Sequence, residues 1–187
     1  MDLLQAHHRA MAEFDARVRA VADDQWSAST PCTEWSVHDL VNHLVNEQLW
    51  TPELLAGARL EDVGDRFDGD QLGDDPVLSW DAAAGAARTA WLKQGATTGE
   101  VFVTGGVIPA EDYGWQMTMD LTVHAWDLAR GIGADDTLDP DLVEVVHQVF
   151  APQIPAMQGI GIFADPVSVS DQADLQTRLL SLLGRQR

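Results

Sequence analysis

Basic side chains are scarce: the 187 residues hold 11 Lys+Arg against 30 Asp+Glu, a formal net charge of -19. A surface this acidic repels phosphate backbones and anionic headgroups, which argues against nucleic acid or a membrane surface as partner. Cysteine is almost missing. Cys32 alone excludes an internal disulfide and a multi-cysteine zinc site, and it fits the reducing cytoplasm expected for this chain. Long apolar runs are lacking too. From Val145 to Ala164 no Asp, Glu, Lys or Arg occurs, yet Pro152, Pro155, Gly159, Gly161 and three glutamines break the stretch, so it is no membrane span. The opening MDLLQAHHRAMAEFDARV is charged and amphipathic and has no apolar core of a secretory signal.

What is present suits a globular protein. Hydrophobic residues make up 45% and charged ones 22%, and the length fits one domain over 1–187. Leu3, His7, Ala10, Met11, Phe14, Val18 and Val21 recur at helical spacing over 3–21. After the loop WSASTPCTEW, Ser36 and Asp39 form a capping-box pattern that opens a second helix, Val37 to about Trp50. Residues 57–76 carry seven carboxylates, four glycines and two arginines, a pattern of a mobile acidic loop without a buried element. A third helix is predicted over Val77–Lys93, and VFVTGGVIPAEDYG reads as a connection with a few extended residues rather than a sheet. A fourth helix runs from about Glu111 to a stop at Gly131. Asp139-Pro140 caps another, and Asp171 to Leu183 holds a last short one. The expected fold class is all-α: a four-helix bundle with a long crossover, followed by a C-terminal helical extension over about 140–187.

The chemistry concentrates on the fourth helix. Asp120 and His124 stand four apart on the face that also carries Tyr113, Met117, Leu121, Ala125 and Leu128. Burying either without a partner would cost about 1 to 3 kcal/mol. That partner is a metal ion or, in the simpler alternative, the other side chain of the pair. Bundle cores build metal sites by facing such a pair with a ligand from a neighbouring helix, and His43 is the obvious third donor. Acid–histidine pairs at this spacing arise by chance, roughly one being expected here. Of the three present, Glu34/His38 straddles a helix start and Asp39 is better explained as a cap, so Asp120/His124 alone has an apolar setting. Glu47 reads either as a fourth ligand or base, or as an exposed glutamate. His7 reads as a hydrogen-bonded core histidine, and His8 and His147 as surface or packing residues. Cys32 has no base or positive neighbour in TPCTEW and reads as structural. The seven tryptophans read as core.

Three runs, TPCTEWSVHDLVNHL, DLTVHAWDLARGIG and LQTRLLSLLGR, together resemble the actinobacterial metal-binding proteins related to the N-terminal domain of mycothiol-dependent maleylpyruvate isomerase, within the wider DinB-like bundle superfamily. The resemblance covers nearly the whole chain. It implies a DinB-like bundle holding a divalent metal, usually zinc, on His43, Asp120 and His124. It also implies mycothiol or a related small thiol as co-substrate of a transferase or isomerase-like enzyme acting on a small electrophilic molecule. In that picture Glu47 moves a proton and the 57–76 loop covers the site. The isomerase carries glutamate where Asp120 stands here, and a further C-terminal domain that helps hold its substrate. Two histidines and one carboxylate also suit ferrous iron or nickel, so zinc comes from the resemblance. The alternative is a non-catalytic metal-binding or protein-interaction module in which the ion fastens helices together. The substrate and the oligomeric state stay open, a homodimer among the options.

Overall fold

The computed structural model describes residues 1–157 and 164–187. Helices α1 (Leu3–Val18), α2 (Val37–Leu55), α4 (Pro76–Trp91) and α5 (Ala110–Ile132) form the bundle. Helix α1 lies along α5 and α2 along α4, with α2 also against α5. A short α3 (Leu60–Val63) sits between α2 and α4. The C-terminal part adds α6 (Pro140–Phe150), α7 (Ile154–Met157) and α8 (Leu175–Leu182), of which α6 and α8 pack on each other. Among the described residues no helix is long and apolar enough to cross a membrane.

Local sequence sets the helix ends. Asp2 and Gln5 close a capping box at α1, and Ser36 and Asp39 close the expected one at α2. Asp75 and Asp139 cap helices that begin with Pro76 and Pro140. Helix α2 runs through Pro52 to Leu55, beyond the expected end near Trp50. Helix α5 passes Gly131 and stops at Gly133, whose φ of 70° is left-handed. Gly131 serves packing instead, because a Cβ there would lie 3.1 Å from Thr30 and 3.2 Å from Val37.

The main core gathers Phe14, Leu40, Leu44, Trp80, Leu121, Trp126 and Leu128. A second, smaller core of Leu54, Trp91, Val101, Ala110, Tyr113 and Met117 lies beneath a feature expected to be a mere connection. Strands β1 (Glu100–Val103) and β2 (Gly106–Pro109) pair antiparallel, Val103 opposite Gly106, as a hairpin. Val101 is buried, and that burial turns the alternating valines and Gly105-Gly106 into a two-stranded sheet.

The acidic loop is also more structured than its composition suggests. Val63, Phe67 and Leu72 are buried. The Asn42 amide donates to Gly69 O at 3.0 Å and accepts from Gln71 N at 2.7 Å, while Asn46 donates to Phe67 O. Two asparagines of α2 thus fasten the loop backbone, and three apolar side chains anchor it against the expectation that no buried element lies here.

Candidate metal centre

Helices α2 and α5 bring the three expected donors together. His43 Nε2 lies 3.2 Å from Asp120 Oδ2, and His124 Nε2 lies 3.3 Å from Asp120 Oδ1. One donor atom from each residue falls within 4.8 Å of the other two. The spacing of four residues in α5 stacks Asp120 and His124 on successive turns, and the packing of α2 on α5 supplies His43 across the interface. His124 is buried, but Asp120, expected buried, keeps 25% of its side chain exposed. The cluster therefore opens on solvent, through a cavity of about 470 Å³ lined by Pro31, Trp35, Met119, Val123 and Leu183 besides the three donors.

Behind the donors stands a second layer that the spacing of acids and histidines did not reveal. His124 Nδ1 meets Asp127 Oδ2 at 3.0 Å. Asp127 is fully buried and receives Arg185 Nη2 at 2.9 Å. Trp35 packs on both imidazoles, with ring centroids 4.8 Å from His43 and 5.7 Å from His124. Sequence contained a trace of this: Asp127 follows His124 by three, on the same helical face, and Arg185 lies in the LLGR run. Trp35, expected in the core, reaches the site from the loop before α2, which the Ser29–Ser36 bridge closes.

Burial alone would push the His124 imidazole down, but the charge on Asp120 and hydrogen bonds to Asp120 and Asp127 outweigh it and raise it to about 9. Burial would likewise raise Asp120, yet His124 and His43 hold it well below the usual carboxylate range. The cluster thus favours positive charge between its carboxylates. A neutral imidazole has one N–H. Given to Asp127 through Nδ1, it leaves the His124 Nε2 lone pair facing an Asp120 oxygen, and only a cation between them resolves that contact: a proton or a metal ion. Two ligand bonds of ~2 Å at a tetrahedral angle set donor atoms ~3.3 Å apart, close to each histidine's separation from its own Asp120 oxygen, Oδ2 for His43 and Oδ1 for His124. His43, Asp120 and His124 therefore fit a divalent ion in both chemistry and spacing.

The remaining expected residues are distributed around this cluster. Glu47 stands one turn beyond His43 on α2, half-buried rather than on an exposed face. Burial, then the charge on Asp120, push its carboxyl up to about 7. It lines a neighbouring groove with Trp50, Leu60, Gly64, Tyr113 and Gln116. The acidic loop borders that groove through Leu60 and Gly64 and contributes nothing to the wall of the donor cavity, so it flanks Glu47 and does not cover the three donors. Cys32 sits at the cavity wall with its Sγ near His124 and Asp127. The positive neighbour missing from its own sequence is Arg185, brought in by the fold, though burial outweighs it and pushes the thiol up. His7 is buried away from the cluster against Trp91, and among the described residues its Nε2 lacks the hydrogen bond expected of a core histidine. His8 is exposed and His147 half-buried.

Comparison with known proteins gives the family and the fold. Residues 7–129 match the family described as the mycothiol maleylpyruvate isomerase N-terminal domain. Two relatives from Mycobacterium tuberculosis, the uncharacterized proteins MT0763 and Rv0738, are each 34% identical over 191 residues, covering 99% of this chain and 98% of theirs. The crystal structure of the mycothiol-dependent maleylpyruvate isomerase superposes with a TM-score of 0.61 at 15% identity, over 81% of this chain and 68% of that one. A histidine-to-alanine mutant of the same enzyme gives 0.63 at 16% identity, with the same coverage.

Proposed function

Because the chain belongs to the mycothiol maleylpyruvate isomerase N-terminal domain family, we propose that it is a divalent-metal protein, with zinc as the ion, acting as a thiol-dependent transferase or isomerase-like enzyme on a small electrophilic molecule. His43, Asp120 and His124 are its ligands, and mycothiol or a related small thiol is its co-substrate. The observation that carries this reading is the donor geometry, 3.2 and 3.3 Å about Asp120 with His124 Nδ1 already engaged by Asp127.

An ion held by three protein donors keeps an open position and, as a Lewis acid, favours loss of a thiol's proton near neutral pH. The chain's own residues do the rest. Asp127 holds the His124 ring so that Nε2 points at Asp120. The apolar wall formed by Trp35, Met119, Val123 and Leu183 partly shields the site from water. Glu47, whose carboxyl burial pushes up to about 7, takes up and returns a proton in the adjoining groove. The cavity is within the ~300–1,000 Å³ range of small-molecule sites.

Metal analysis of the purified protein, then titration of the cobalt-loaded form with mycothiol, tests the reading. One equivalent of metal and a thiol-dependent change in the cobalt absorption are expected, followed by turnover in an electrophile screen. Metal without any thiol response would point to the non-catalytic module instead.

A further inference from the structure

Among the described residues of the C-terminal segment, Arg185 is the one charged side chain paired with Asp127 in the second layer of the donor cluster. Its three guanidinium nitrogens are all committed: Nη2 to Asp127 Oδ2 at 2.9 Å, Nε to Asp127 Oδ1 at 3.4 Å and Nη1 to Leu183 O at 2.9 Å. Its side chain is 12% exposed and the Asp127 side chain 0%. Three of its five N–H groups are spent on Asp127 and the backbone, and its fork fixes the plane of one carboxylate. That carboxylate faces His124 Nδ1.

The segment carrying Arg185 is itself firmly placed. Leu179, Leu180 and Leu183 are fully buried in the main core. Arg185 N donates to Leu180 O at 2.9 Å, closing the end of α8. Gly184 takes a φ of +78° against Ala164, where a Cβ would come within 2.5 Å of the alanine's own. The turn that aims Arg185 thus requires glycine.

We propose that Arg185 is a positioning residue of the metal centre, acting through Asp127 on His124, so that docking of the C-terminal helix and metal occupancy are linked. The inference rests on the proposed ligand set. Asp127 must accept from Nδ1–H for Nε2 to offer its lone pair, and Arg185 keeps both Asp127 oxygens facing the correct partners. By linkage, whatever docking of α8 contributes to metal affinity, bound metal returns to docking of α8.

The test measures Zn²⁺ affinity by competition with a chromophoric chelator, and the Co²⁺ absorption spectrum, for wild type, His124→Ala, Asp127→Asn, Arg185→Gln, Arg185→Lys and the Asp127→Asn/Arg185→Gln double variant. Asp127→Asn turns an amide NH₂ toward Nδ1 and selects the wrong tautomer. It and Arg185→Gln should each weaken Zn²⁺ by about ten- to a hundredfold. The double variant should be no weaker than the weaker single one. Arg185→Lys keeps the charge, so it carries the test should the glutamine variant fail to fold, and it should lose less affinity while shifting the Co²⁺ bands. Amide exchange over 175–187 should slow when Zn²⁺ is added to wild type. Single effects that multiply, or Arg185 variants with wild-type affinity and spectrum, would overturn the inference while leaving the ligand set intact. Equal zinc binding by wild type and His124→Ala would overturn the ligand set, and the inference with it.

Discussion

Replacing His124 by alanine removes one of three proposed ligands and one counter-charge from two carboxylates. Its consequences separate by metal and by pH. With Zn²⁺ at a hundred times its dissociation constant, occupancy adds about 2.7 kcal/mol to wild type, and for a chain this long that is about 5 to 11 °C of melting temperature. Chelator should remove this increment from wild type and leave the variant unchanged. A gap should persist after chelation, because Asp127 loses the Nδ1 partner and Asp120 one imidazole. Asp127 keeps Arg185 and Asp120 keeps His43, so the gap should be about 1 to 3 kcal/mol, the cost of an under-satisfied buried group. Its pH dependence has a definite sign. With the folded imidazole raised to about 9 above an unfolded value of about 6.5, the chelated wild type holds this stability below pH 6.5 and loses it as pH rises through 9. Zinc-loaded wild type should show the reverse, losing metal as acid protonates the imidazoles. The assay is metal content by mass spectrometry with melting curves from pH 5 to 9.5, with and without chelator. A His124→Ala protein that keeps a full equivalent of tightly bound zinc would refute the reasoning.

Glu47→Gln should leave zinc stoichiometry intact but change the pH profile of the chelated protein. A carboxyl raised to about 7 in the fold, above an unfolded value of about 4.3, costs stability as pH climbs through that interval, so the variant's melting temperature should fall less between pH 5 and 8; an unaltered slope would contradict the burial of Glu47. Cys32→Ser should retain one equivalent of metal, since the proposed thiol is exogenous, and zinc loss would add Cys32 to the ligands. Phe67→Ala deletes an anchor of the acidic loop at a cost of about 3 to 5 kcal/mol, expressed locally as faster tryptic cleavage at Arg59 and Arg66; unchanged cleavage would show that the asparagines suffice.

The bundle and its three donors were legible in the sequence because both depend on short-range periodicity. Stripes at three and four residues place α1, α2, α4 and α5, and the same periodicity puts Asp120 and His124 on one face. Features decided by distant contacts were not legible. The hairpin exists because Val101 finds Tyr113 and Met117 to bury it, and the acidic loop is held by Asn42 and Asn46 of a preceding helix. Arg185 meets Asp127 across 58 residues. Glu47 shows the limit at a single position: its place at the edge of a stripe says nothing about which neighbour closes over it.

The separation of His43 from Asp120, 77 residues along the chain, gives any ion between them the topology of a long-range cross-link. A covalent tie closing a loop of that size lowers the entropy of the unfolded chain by roughly 4 to 5 kcal/mol equivalent at 25 °C. This chain, with its single cysteine, cannot form one internally. In a zinc finger, ligands a few residues apart can capture the ion before anything else has ordered. Here α2 and α5 must already be docked before the three donors converge. The unfolded chain would then compete poorly for the ion, and metal uptake would mark completion of the fold rather than its nucleation.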